Sequence, residues 1–137
     1  GYGAMKLALG RPGPYGAAAS ISGALDIATH IDDTWDDVRG RTFQAIFGDL
    51  ESIPRSKNDL MAQLDQITAV PETEFYVCVG TEDYLYQDSI RFRDKAAEIG
   101  LYLTYNEAPG EHDWNFIDTH IQQVLEWLPV EKLEWEG

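Results

Sequence analysis

The sequence is short of positive charge, of cysteine and of long apolar runs. Lys and Arg total 10 against 24 Asp and Glu, for a formal net charge of −14. Phosphate backbones and anionic lipid surfaces would be repelled, so nucleic acid and the membrane surface are excluded as expected partners. No apolar run approaches the roughly 20 residues a membrane-spanning helix needs. The single cysteine, Cys78, has no partner for a disulfide framework. No segment with the pattern of a secretory leader opens the sequence. Together these set the expectation of a cytoplasmic protein. At 137 residues and 44% hydrophobic, the chain can bury the core of one domain.

What is present alternates between two periodicities. Ala17 to Ser22 (AAASIS) is apolar on both faces and reads as an internal strand of a parallel sheet. Glu74 to Val79 and Leu101 to Tyr105 read as the second and third strands. Gly1 to Leu9 reads as a short, uncapped buried helix that stops at the Gly- and Pro-rich stretch from Gly10 to Pro14. Asp26 to Gly40 is irregular and acidic, and Phe43 to Gly48 is a short helix or turn. Asn58 to Ile67 sets Leu60, Leu64 and Ile67 on one helical face. Ser89 to Ile99 turns Phe92, Ala96 and Ile99 inward and is closed by Gly100. Asn115 to Leu128 carries a core stripe of Ile117, Ile121, Val124 and Leu128, ends at Pro129, and is followed by an acidic tail. Strands alternating with helices predict an α/β fold with a parallel sheet and right-handed crossovers. Ligands of such folds bind at the carboxyl ends of the strands.

Two residues fall on that edge. Asp83 follows the second strand in Gly80-Thr81-Glu82-Asp83, and His112 follows the third in Pro109-Gly110-Glu111-His112-Asp113-Trp114. A histidine acting as a general base needs a carboxylate on one ring nitrogen and a hydroxyl on the other. Asp83 is the preferred carboxylate, and Glu82, Asp88, Glu111 and Asp113 read as surface acids. Tyr84, Tyr86 and Trp114 flank the pair. They either cover the loop edges or line an apolar acyl pocket.

The remaining histidines read as structural. His30 lies among Asp26, Asp32, Asp33, Asp36 and Asp37, but the turn glycine of a calcium loop is missing, so a solvated loop is preferred to a metal site. His120 reads as a packed or partly exposed residue of the last helix. Gly1-x-Gly3 follows no strand and lacks a third glycine, so it does not make a dinucleotide turn.

Acid before histidine is the chain order of the last two members of an α/β-hydrolase triad, with the nucleophile ahead of both. Gly1-Tyr2-Gly3-Ala4 resembles the last four positions of the nucleophile elbow G-x-S-M-G-G-x-G-A of the esterase D family. That family includes tributyrin esterases and S-formylglutathione hydrolases. Ile46-Phe47-Gly48-Asp49, Asn58-Asp59-Leu60, Gly80-Thr81-Glu82-Asp83 and Gly110-Glu111-His112-Asp113-Trp114 continue the likeness in family order. The resemblance implies that residues 1–137 are the C-terminal portion of a single α/β-hydrolase domain. Its serine would lie three residues before Gly1, together with the oxyanion donors. It implies Asp83 as triad acid, His112 as triad base, Tyr84 and Trp114 at a substrate pocket, a small-molecule ester substrate, and no metal or organic cofactor.

Three functions follow as expectations: a serine carboxylic-ester hydrolase for short-chain acyl esters, an S-formylglutathione hydrolase, or a non-catalytic half-domain that binds a partner chain. Glutathione carboxylates would need Arg91 and Arg93, the nearby cations. The 17–22 strand is expected to pair at its open edge with the missing N-terminal half or a second copy.

Overall fold

The computed structural model describes residues 1–11, 15–31 and 37–129. Asp32, Asp33, Asp36 and the acidic tail beyond Pro129 lie outside the described residues. In chain order the elements are α1 (Tyr2–Gly10), β1 (Ala17–Ile21), a 3₁₀ turn (Ile27–His30), α2 (Asp37–Phe47), a second 3₁₀ turn (Leu50–Ser52), α3 (Leu60–Asp65), β2 (Glu74–Gly80), α4 (Tyr86–Ile99), β3 (Leu103–Ala108) and α5 (Trp114–Trp127). The three strands form one parallel sheet in the order β1-β2-β3. The register pairs Ala18 with Phe75 and Val77 with Tyr105.

β2 is the centre of the molecule because both its faces are apolar, and every residue after Glu74 is buried. Phe75 and Val77 face a cluster built from Met5 of α1, Leu60 and Leu64 of α3, and Phe92 and Ala96 of α4. Tyr76 and Cys78 face the other way, onto Phe116 and Val124 of α5. The sheet is thus covered on both faces, and each fully buried Val, Leu or Phe contributes roughly 1.5–3 kcal/mol.

Local chemistry sets the boundaries. Asp59 caps α3, its carboxylate accepting from Ala62 N at 3.1 Å. α4 ends where Gly100 takes a left-handed φ of 77°. There Leu101 N reaches back to Ala96 O at 2.9 Å. That closure engages Leu101, so β3 starts at Leu103 rather than at Leu101. It runs on to Ala108 because its polar residues have partners: Asn106 Nδ2 donates to Tyr76 Oη at 2.9 Å. α4 starts at Tyr86, three residues ahead of the amphipathic run, because Asp83 O accepts from Tyr86 N and leads the turn straight into the helix.

The acidic stretch after β1 is less irregular than its composition predicts: Ile27–His30 forms a 3₁₀ turn and α2 begins at Asp37. Of the expected stripe of α5, Val124 is buried and Ile117 and Leu128 are half-buried, whereas Ile121 is 40% exposed; Phe116 is buried in addition. β1 alternates half-buried and buried residues, with Ala17, Ala19 and Ile21 half-buried, and it occupies an edge of the sheet.

Candidate active site

The last rung of the β2–β3 ladder pairs Gly80 with Ala108. A Cβ on Gly80 would lie 2.2 Å from Gly110 O, so only glycine lets the two loops approach this closely. Gly110 has a φ of 152°, and a Cβ there would strike the Phe116 ring at 2.5 Å. Beyond the ladder, Thr81 N donates to Ala108 O at 2.9 Å and Glu82 N to Gly110 O at 3.1 Å. The two strand-end loops are therefore zipped together just before Asp83 and His112.

Asp83 Oδ2 and His112 Nδ1 lie 2.9 Å apart. The other carboxylate oxygen, Oδ1, accepts from Leu85 N at 2.8 Å. Asp83 is buried and the His112 side chain is 39% exposed. An ionised carboxylate can only accept, so in the neutral ring Nδ1 carries the proton and Nε2 is the basic nitrogen. The arrangement can hold one tautomer, take a proton at Nε2 and stabilise the imidazolium that results. The Tyr84 ring meets His112 edge-on at 5.1 Å. Trp114 opens α5 and is 78% exposed. The Tyr86 hydroxyl is engaged with Glu107 at 2.7 Å.

The rival acids have separate tasks. Asp113 caps α5, accepting from Phe116 N at 2.8 Å. Glu111 is exposed. Glu82 accepts from Gly110 N at 2.7 Å. Asp88 is not a surface acid: it is buried, 2.6 Å from His30 Nε2, and accepts from Asp26 N at 3.1 Å. Burial pushes its carboxyl above the ordinary range, against the opposing pull of the His30 hydrogen bond. Nothing in the sequence signals this second acid–histidine pair, because its members are 58 residues apart. Among the described residues no group of three His, Cys, Asp or Glu is set to hold a metal ion.

Arg91 binds Asp26, Asp88 and Thr29. Arg93 pairs with Asp94 at 3.0 Å and lies over the Tyr105 ring at 5.0 Å. Both cations expected for glutathione carboxylates thus have carboxylates of this chain as partners. His120 is half-buried and packs its ring 4.2 Å from Phe116.

No family model matches the chain. The acetyl esterase of Caldicellulosiruptor saccharolyticus is 28% identical over 90 residues, which are 63% of this chain and 33% of that protein. The S-formylglutathione hydrolase FrmB of Staphylococcus aureus superposes with a TM-score of 0.76 at 27% identity, over 92% of this chain and 49% of that one. FphF, a fluorophosphonate-binding serine hydrolase of the same organism, gives a TM-score of 0.77 with the same identity and coverage. The chain has the α/β-hydrolase fold of these proteins and resembles the esterase D-like group. A ferulic acid esterase at 16% identity shares the fold, with a TM-score of 0.68. The chain spans about half the length of the solved structures it matches and a third of the acetyl esterase. Among its described residues no helix is long and apolar enough to cross a membrane.

Proposed function

We propose that the protein to which this chain belongs is a serine carboxylic-ester hydrolase of the cytoplasm, acting on short-chain acyl esters. The chain supplies the C-terminal portion of its single domain. The Asp83–His112 bond of 2.9 Å, at the carboxyl edge of the sheet, carries the reading. A serine upstream of Gly1 attacks the ester carbonyl, and His112 Nε2 takes the hydroxyl proton. The same nitrogen returns the proton to the leaving alkoxide. Water, again deprotonated by His112, then releases the acid from the acyl-enzyme. Asp83 holds the tautomer and offsets the imidazolium charge. Tyr84 and Trp114 offer apolar surface beside the base. No cofactor is needed. The oxyanion donors belong upstream with the serine, so residues 1–137 alone are expected to be inactive. The edge of β1 is proposed to pair with the N-terminal half or a second copy; a purely partner-binding half-domain is the reading without catalysis.

FrmB is named an S-formylglutathione hydrolase, which keeps thioester hydrolysis as a second reading. The engagement of Arg91 and Arg93 by Asp26, Asp88 and Asp94 counts against it. Turnover of p-nitrophenyl acetate and butyrate by the longer protein, beside S-formylglutathione, tests the two. His112→Ala is expected to lower kcat by about 10⁵–10⁶-fold and Asp83→Asn by about 10⁴-fold. Normal turnover in His112→Ala would remove the reading.

A further inference from the structure

The contact that sets how closely the acid and base loops approach is steric. Gly80 and Gly110 touch, with no room for a Cβ, and a contact of that kind resists compression but not separation. The paired ladder ends at Gly80, and beyond it Gly110 turns both its polar groups toward Glu82. Its O accepts from Glu82 N at 3.1 Å, and its N–H donates to Glu82 Oε2 at 2.7 Å. The same Oε2 accepts from Thr81 Oγ1 at 2.6 Å, which holds the carboxylate in that rotamer. Asp83 is the next residue on one side, and His112 is two residues beyond Gly110 on the other.

We propose that Glu82 is a positioning residue: its carboxylate clips the His112 loop to the Asp83 loop and limits the separation of Nδ1 and Oδ2. The inference rests on the reading of Asp83 and His112 as acid and base. Glu82 does not face the ester and moves no proton. Its effect passes through the orientation of His112, because the tether between clip and dyad is only one residue on one side and two on the other. The hydrogen bonds from Thr81 and Gly110 hold the Glu82 carboxyl below its usual range, consistent with a charged acceptor at this point. Glu82 is exposed. Its bonds therefore add little to global stability, and the clip reads out in geometry and kcat.

The test compares Glu82→Ala, Glu82→Gln, Thr81→Val and His112→Ala in the full-length protein. Glu82→Ala is expected to lower kcat roughly 10- to 100-fold, with KM within about twofold. The downfield proton resonance of His112 Nδ1–H should broaden or vanish. Glu82→Gln keeps an acceptor oxygen for Gly110 N–H and should restore most of the rate and the resonance. Thr81→Val should show a smaller loss in the same direction, and it decides the matter if Glu82→Ala does not fold. A Glu82→Ala enzyme with unchanged kcat and an intact resonance would overturn the proposal. So would a Glu82→Gln enzyme as slow as Glu82→Ala, since charge and not the clip would then be responsible. The His112→Ala control separates the two levels. Activity retained there defeats the acid–base reading, while the resonance in the Glu82 variants still reports on the clip.

Discussion

Burial decides the chemistry of Cys78. Its side chain lies on the α5 face of β2 beside Tyr76 and Phe116, and desolvation pushes the thiol up to about 11. The thiolate is the reactive form. Below pH 9 Cys78 is therefore neutral as well as inaccessible. We expect no labelling by a maleimide at pH 8 in the folded protein and complete labelling in urea, read by intact mass. Rapid labelling of the native protein would mean that the centre of the sheet opens. A single cysteine in an apolar run was legible in the sequence; its elevated pKa follows from packing on both faces of the strand.

At the scale of elements, the two strand ends act as one unit. Gly80→Ala would put a methyl group 2.2 Å from Gly110 O, against backbone that cannot give way cheaply. We expect a loss of about 1–3 kcal/mol in urea unfolding, together with a widened Asp83–His112 gap and a fall in kcat. Gly40→Ala in α2 is the contrast: among the described residues an added Cβ meets nothing within 4 Å there. It is expected to stabilise the fold by up to about 1 kcal/mol. Equal effects at the two glycines would mean that the contact between the loops is not a constraint. The sequence places Gly80 at the end of a strand and Gly40 at the end of an acidic stretch; that Gly80 is crowded follows from the sheet register, which brings Gly110 against it.

Across the whole molecule the charge of −14 is a source of self-repulsion. Screening extends over about 10 Å at 0.1 M salt. Tm is therefore expected to rise as NaCl goes from about 0.01 to 0.15 M, measured by calorimetry at neutral pH. A falling Tm would show that local pairs such as Arg91 with Asp26 and Asp88 outweigh the global field. Charge and composition were wholly legible in the sequence. Which acids are paired was not, because Asp88 and His30 meet although they lie 58 positions apart in the chain.

The sequence by itself determined the alternation of strands and helices, the closure of α4 by Gly100, and the fall of Asp83 and His112 just after strands. These follow from periodicity and turn chemistry, which act over a few residues. Only the tertiary structure decided which carboxylate meets His112, that Glu82 bridges to Gly110 28 residues away, that Arg91 and Arg93 are engaged by acids of the same chain, and which face of α5 is buried. Those outcomes depend on parallel register. Pairing Gly80 with Ala108 sets two loops side by side that share no local pattern, and every distance in the candidate site follows from that rung.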